Sequence, residues 1–81
     1  MKAIPKELQG ILVATPETAG GKVRFRGTRI QAKLLFDYVL SGEGLGEFLA
    51  DFPDVKREDA IAVLDWEHQN VLRNLKVETA A

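Results

Sequence analysis

At 81 residues the chain is too short to divide its apolar side chains between two cores and still offset the entropy of ordering both, so it is one domain. It has no cysteine, which excludes a disulfide framework and thiolate metal sites and fits a cytoplasmic setting. A net charge of −1 hides a strong asymmetry: residues 1–33 carry seven cations against two carboxylates, whereas residues 34–67 carry two cations against nine. Such a dipole speaks of partners more than of fold. No apolar run approaches the ~20 residues of a membrane helix and nothing resembles a signal peptide, so a soluble protein without a membrane partner is expected.

Residues 1–10 hold Pro5 and Gly10 with little periodicity and read as an extended arm ahead of a domain over 11–76, with 77–81 as a tail. Ile11-Leu12-Val13-Ala14 is a short β-branched, apolar run, and Lys22-Val23-Arg24-Phe25-Arg26 alternates between charged and apolar side chains. Both read as strands. The turn-rich linker over 15–21 makes them a β-hairpin, with Val23 and Phe25 inward and Lys22, Arg24 and Arg26 outward. Two strands alone are marginal in water, so the hairpin leans on helices or on a second copy.

After Thr28 the period becomes helical. Ile30, Leu34, Leu35, Tyr38 and Val39 share one side, and Gly42 is placed to cap the helix in the left-handed conformation. Leu45, Phe48, Leu49 and Phe52 form a second short pattern, stopped by Pro53. The third and longest begins near Lys56, with Ile61, Leu64, Val71, Leu72 and Leu75 on one stripe and Glu58 and Asp59 in the first turn, where carboxylates favour the helix dipole. A short hairpin followed by three helices, the last two only a few residues apart, is a mainly α domain of helix-turn-helix type. Its expected core is Val23, Phe25, Leu34, Leu35, Tyr38, Phe48, Leu49, Phe52, Ile61 and Leu64.

The run Gly21-Lys22-x-x-x-x-Gly27-Thr28-Arg29-Ile30, then Gly42, Glu47-Phe48-Leu49-x-x-Phe52-Pro53, Glu58-Asp59 and Ala62-x-Leu64 resembles the small bacterial family called domain of unknown function 433. The resemblance covers roughly residues 11 to 70. It implies a homeodomain-like helix-turn-helix core behind a strand pair, and an antitoxin role: binding and silencing a PIN-like nuclease toxin, with promoter DNA as a second partner. The chain departs from the family at helix starts, with Gln31 in place of Pro, Gly44 in place of Ser or Thr, and Lys56 in place of Thr. Such residues cap or preset a helix start, so softer helix ends are expected.

Lys22, Arg24, Arg26, Arg29 and Lys33 are the first candidates for binding a partner or nucleic acid, because guanidinium forks grip phosphates and carboxylates bidentately. Thr28 joins them, with a structural half to its role: Gly27 lets the backbone turn and Thr28 bonds nearby N–H groups as the chain enters the helix. The third helix carries Glu58, Asp59, Asp65 and Glu67, which repel phosphate, so a protein partner is favoured over sequence-specific DNA reading. His68, the only histidine, falls near the middle of the apolar stripe and reads as a packed, hydrogen-bonded side chain. Trp66 points away from that stripe, toward the N-terminal arm or another subunit of a homodimer. Gly20-Gly21-Lys22 lacks the Ser or Thr and the helix of a P-loop. No nucleophile, base and orienting group converge, so neither an enzyme nor a cofactor is expected. The functional expectation is an antitoxin-like binding protein, and the alternative is a dimeric helix-turn-helix DNA-binding regulator without a toxin.

Overall fold

The computed structural model of the chain describes residues 4–15 and 21–75, the last two by backbone alone. A 3-10 turn at Lys6–Leu8 leads to strands β1 (Leu12–Val13) and β2 (Arg24–Phe25), followed by helices α1 (Ala32–Leu40), α2 (Gly44–Asp51) and α3 (Arg57–Leu75). The protein is thus mainly helical, with a short antiparallel hairpin ahead of the helices. The expected linker falls largely on residues 16–20, outside the described residues.

Leu12 lies opposite Phe25 and Val13 opposite Arg24, a register that buries Leu12 and Phe25 on the core side of the ribbon. Each strand is shorter than the alternation suggests, because Ile11 and Arg26 already belong to turns. Leu8 is also buried, so this part of the expected arm is wound into a turn and docked on the core. Its polar neighbours Lys6, Glu7 and Gln9 stay exposed, which is why the segment shows little periodicity.

The helix ends follow from the residues at them. Neither Gln31 before α1 nor Glu43 before α2 makes a side-chain cap bond, as the departures at 31 and 44 imply. At the other end of α1, Gly42 adopts φ +90° and its N–H donates to the Val39 carbonyl at 3.2 Å, while the Glu43 N–H donates to Tyr38 at 3.1 Å. These two bonds satisfy orphan carbonyls in a Schellman motif and aim α2 back across α1. Residues 52–56 join α2 to α3, and Pro53 forbids continuation of α2.

Phe48 on α2 is fully buried at the centre of the core. Its ring centroid lies 6.1 Å from Phe25, 5.5 Å from Tyr38 and 5.2 Å from Phe52, so the hairpin, α1 and the α2–α3 connection meet on one side chain. Leu34, Leu49 and Leu64 pack partly buried against the core, as expected of core neighbours. Two expected core residues are not there: Val23 is 38% exposed and Ile61 43% exposed. The core face of α3 is instead built on Ala60 and Val63, and Leu8, Leu12, Ala32 and Val55 complete the interior. Val39, placed by spacing on the inner side of α1, is also exposed, because it lies in the last turn, where α1 runs out of cover.

α1 and α2 are also joined by one polar contact, in which the Tyr38 hydroxyl donates to the Asp51 carboxylate at 2.6 Å. That bond, with desolvation and the negative charge of Asp51, Glu43 and Glu47, pushes the Tyr38 pKa up to about 12. Phe48→Ala is expected to cost about 3–5 kcal/mol, a large share of the ~5–15 kcal/mol that holds a domain together, whereas Leu40→Ala, at a side chain 85% exposed, should change stability by less than about 0.5 kcal/mol; urea denaturation separates the two. Because the phenol pKa is raised in the folded state, the Tyr38 bond contributes fully below the ordinary value of 10.0 and is lost as pH rises through about 12. As the chain has one tyrosine, phenolate absorbance follows this group alone, and Asp51→Asn should bring its midpoint back toward the ordinary value.

Candidate functional site

The basic cluster sits on a turn built by backbone pairing. The Phe25 N–H donates to the Ile30 carbonyl at 2.9 Å and the Ala32 N–H to the Val23 carbonyl at 3.0 Å, so the chain doubles back with Gln31 beside Arg24. Gly27 stands at the bend with φ +82°, a left-handed conformation in which a side chain is strained. Thr28 closes the turn from within: its hydroxyl donates to the Phe25 carbonyl at 2.9 Å and accepts the Ile30 N–H at 3.0 Å. Spending one hydroxyl on two backbone groups holds the segment without a longer sheet.

This turn sorts the cations into different roles. Arg24 is half-buried, with Nε donating to the Thr28 carbonyl at 3.0 Å and Nη1 to the Thr15 hydroxyl at 3.2 Å. It is a strut across the base of the turn, not the outward-facing cation that strand alternation suggests. The reason is that β2 is flanked on both edges, by β1 and by the returning segment at Gln31, and a guanidinium can satisfy carbonyls that the two-residue ladder leaves over. Arg26 is exposed, yet its Nη2 donates to the Gln9 carbonyl at 2.7 Å and ties the turn to the N-terminal segment. Lys33 is exposed and ion-paired with Asp37 at 2.8 Å, one helical turn on. Lys22 and Arg29 are exposed and make no hydrogen bond or ion pair among the described residues. The structure therefore brings Arg24, Arg26, Thr28 and Arg29 together on one turn, with Lys22 leading into it and Lys33 in the first turn of α1.

Trp66 lies half-buried against the core, and it lines two grooves together with Leu8 of the N-terminal segment. With Ile4, Leu8, Leu12 and Phe36 it lines a groove of about 400 Å³, and with Glu7, Asp65 and Arg73 a second of about 320 Å³. His68 is exposed, against the expectation of a packed histidine, because the stripe on which it falls is not the face of α3 that the core takes. Sequence reasoning missed the Gln9 carbonyl and the Thr15 hydroxyl as partners of the arginines. Residues 1–10, which read as an extended arm, carry no local signal of either contact.

The chain matches the family described as "Protein of unknown function (DUF433)" over residues 12–66, a segment that runs from β1 through the basic turn to Trp66, and it belongs to that family. It is similar over 98% of its length, at 31% identity and a TM-score of 0.65, to the crystal structure of a DUF433 member protein from Anabaena variabilis ATCC 29413, of which it covers 88%. No curated protein is significantly similar to it.

The two roles of the cations separate experimentally. Thr28→Val keeps the shape of the side chain but removes both of its bonds, and should cost about 1–3 kcal/mol, while Arg29→Ala should stay within about 0.5 kcal/mol of the parent; Arg24→Ala falls between them, and chemical denaturation of the three variants gives the order.

Proposed function

We propose that this protein is a non-enzymatic, antitoxin-like binding module that neutralises a PIN-like nuclease, with binding to its own promoter as a second role. The observation that carries the reading is the basic turn itself. Thr28 and the Arg24 strut rigidify it, so Arg26 and Arg29 reach solvent from a backbone that has little conformational freedom left to lose on binding. A preorganised pair of guanidinium forks suits a carboxylate-lined nuclease site, which would accept them bidentately.

A protein partner is favoured over DNA by the charge of the helices. Glu47 and Asp51 on α2 and Glu58, Asp65 and Glu67 on α3 are exposed carboxylates that would face phosphate if either helix entered a groove. The helix-turn-helix regulator without a toxin remains the second reading, favoured by the five-residue connection between α2 and a longer α3.

Binding of the full chain to the product of the adjacent open reading frame, which the reading requires to be a PIN-like nuclease, and to its promoter DNA, tests both readings by calorimetry at low and moderate salt. The expected result is tight binding to the nuclease with loss of its activity. Arg29→Ala should weaken the complex by about 2–5 kcal/mol, since it strands a buried carboxylate, without loss of stability. Binding to DNA alone, with an affinity falling steeply in salt, overturns the antitoxin reading in favour of the regulator.

A further inference from the structure

The two grooves beside the N-terminal turn share Leu8 and Trp66, so they adjoin at that pair of side chains. The larger, of about 400 Å³, is apolar except for Glu67 and Asn70. The smaller, of about 320 Å³, carries Glu7, Asp65, Gln69 and Arg73. Asp65 and Glu67 flank Trp66 in sequence and line different grooves, so the half-buried indole has a carboxylate on either side. Three carboxylates thus stand around Trp66 against one cation, and none of the four charged groups is ion-paired among the described residues. Arg73 does not neutralise the whole rim, because it lies eight residues beyond Asp65 on α3, about 12 Å along the axis.

We propose that this double groove docks a protein partner through a segment that sets an apolar side chain beside a lysine or arginine. The apolar side chain enters the larger groove, and the cation lies over Trp66 within reach of Glu7 and Asp65. Charge selects this occupant. The face of an indole attracts a cation, and carboxylates beside it add to the attraction. Nucleic acid and anionic lipid are repelled by the same carboxylates. A wholly apolar segment would desolvate them without giving them a partner. The basic turn of a second copy lacks the apolar half, since Phe25 is buried and Val23 already lines the larger groove. Such a contact would also join unlike surfaces and run on from copy to copy. A half-buried tryptophan between an apolar trough and a polar rim has the anatomy of an interface anchor. Lys22, Arg26 and Arg29 take no part, so the docking surface stands independently of the nuclease reading.

The probe is a synthetic helical peptide with leucines on one face and lysines on the other, titrated into the full chain. Trp66 is the only tryptophan, so its emission reports the site directly, and calorimetry gives the affinity. The expected result is saturable binding that shifts Trp66 emission. A peptide with glutamates in place of the lysines, or without the leucines, should bind about tenfold or more weakly. Asp65→Lys and Glu7→Lys should each weaken binding about tenfold, whereas Arg73→Glu should tighten it, an opposite sign that general misfolding cannot produce. Glu58→Lys makes the same change of charge on an exposed residue outside both grooves and should have little effect. Absence of binding, binding that leaves Trp66 emission unchanged, or equal weakening by Glu58→Lys and Asp65→Lys overturns the site. Trp66 emission that shifts with protein concentration alone assigns the grooves to a second copy and overturns the partner.

Discussion

Everything else in this small domain is arranged around the burial of one aromatic ring, that of Phe48. A two-strand ribbon cannot hold itself together in water, and helices of eight and nine residues are equally unable to stand alone. Each becomes stable by placing one side chain against Phe48: Phe25 from the ribbon, Tyr38 from α1 and Phe52 from the end of α2. Tyr38 and Phe52 also meet edge to face at 5.8 Å, so the cluster closes on itself and is not a chain of independent contacts. The Schellman turn at Gly42 serves the same end, because it reverses the chain in the space that brings α2, and with it Phe48, back over α1.

The basic turn shows how one segment answers two demands. A short ribbon leaves backbone groups over, and the residues that satisfy them are Thr28 and two of the arginines that charge patterning marks for binding. Arg24 gives its donors to the turn, Arg26 gives one and keeps the rest in solvent, and Arg29 gives none among the described residues. The family match covers the turn and its arginines but not Gln9, which accepts from Arg26. Stiffening by Arg24 and presentation by Arg29 are therefore different contributions to the candidate binding surface.

α3 stands in contrast to the rest. Its core face is narrow and made of small residues, and its larger apolar residues lie elsewhere around the helix. Trp66 covers the flank toward the N-terminal turn and helps form two shallow grooves there. The division leaves α3 with one side that holds the domain together and another that stays largely exposed.

Much of this was legible in the amino-acid sequence. The change of period at Thr28, Gly42 and Pro53 as helix stops, the aromatic spacing of α2 and the family motif are local signals, fixed by φ/ψ preference and by side-chain repeats of two or 3.6 residues. Those forces act within a few residues of the chain, so the element order and the centre of the core were determined by sequence alone. Which face of α3 turns inward was not. Two apolar stripes compete on that helix, and the larger side chains of Ile61 and Val71 make the outer one read as the core, whereas the folded chain buries Ala60 and Val63. The Arg24 bond to Thr15 and the burial of Leu8 were likewise decided by tertiary structure, since both depend on groups outside the local segment that find no partner until the chain has folded back on itself.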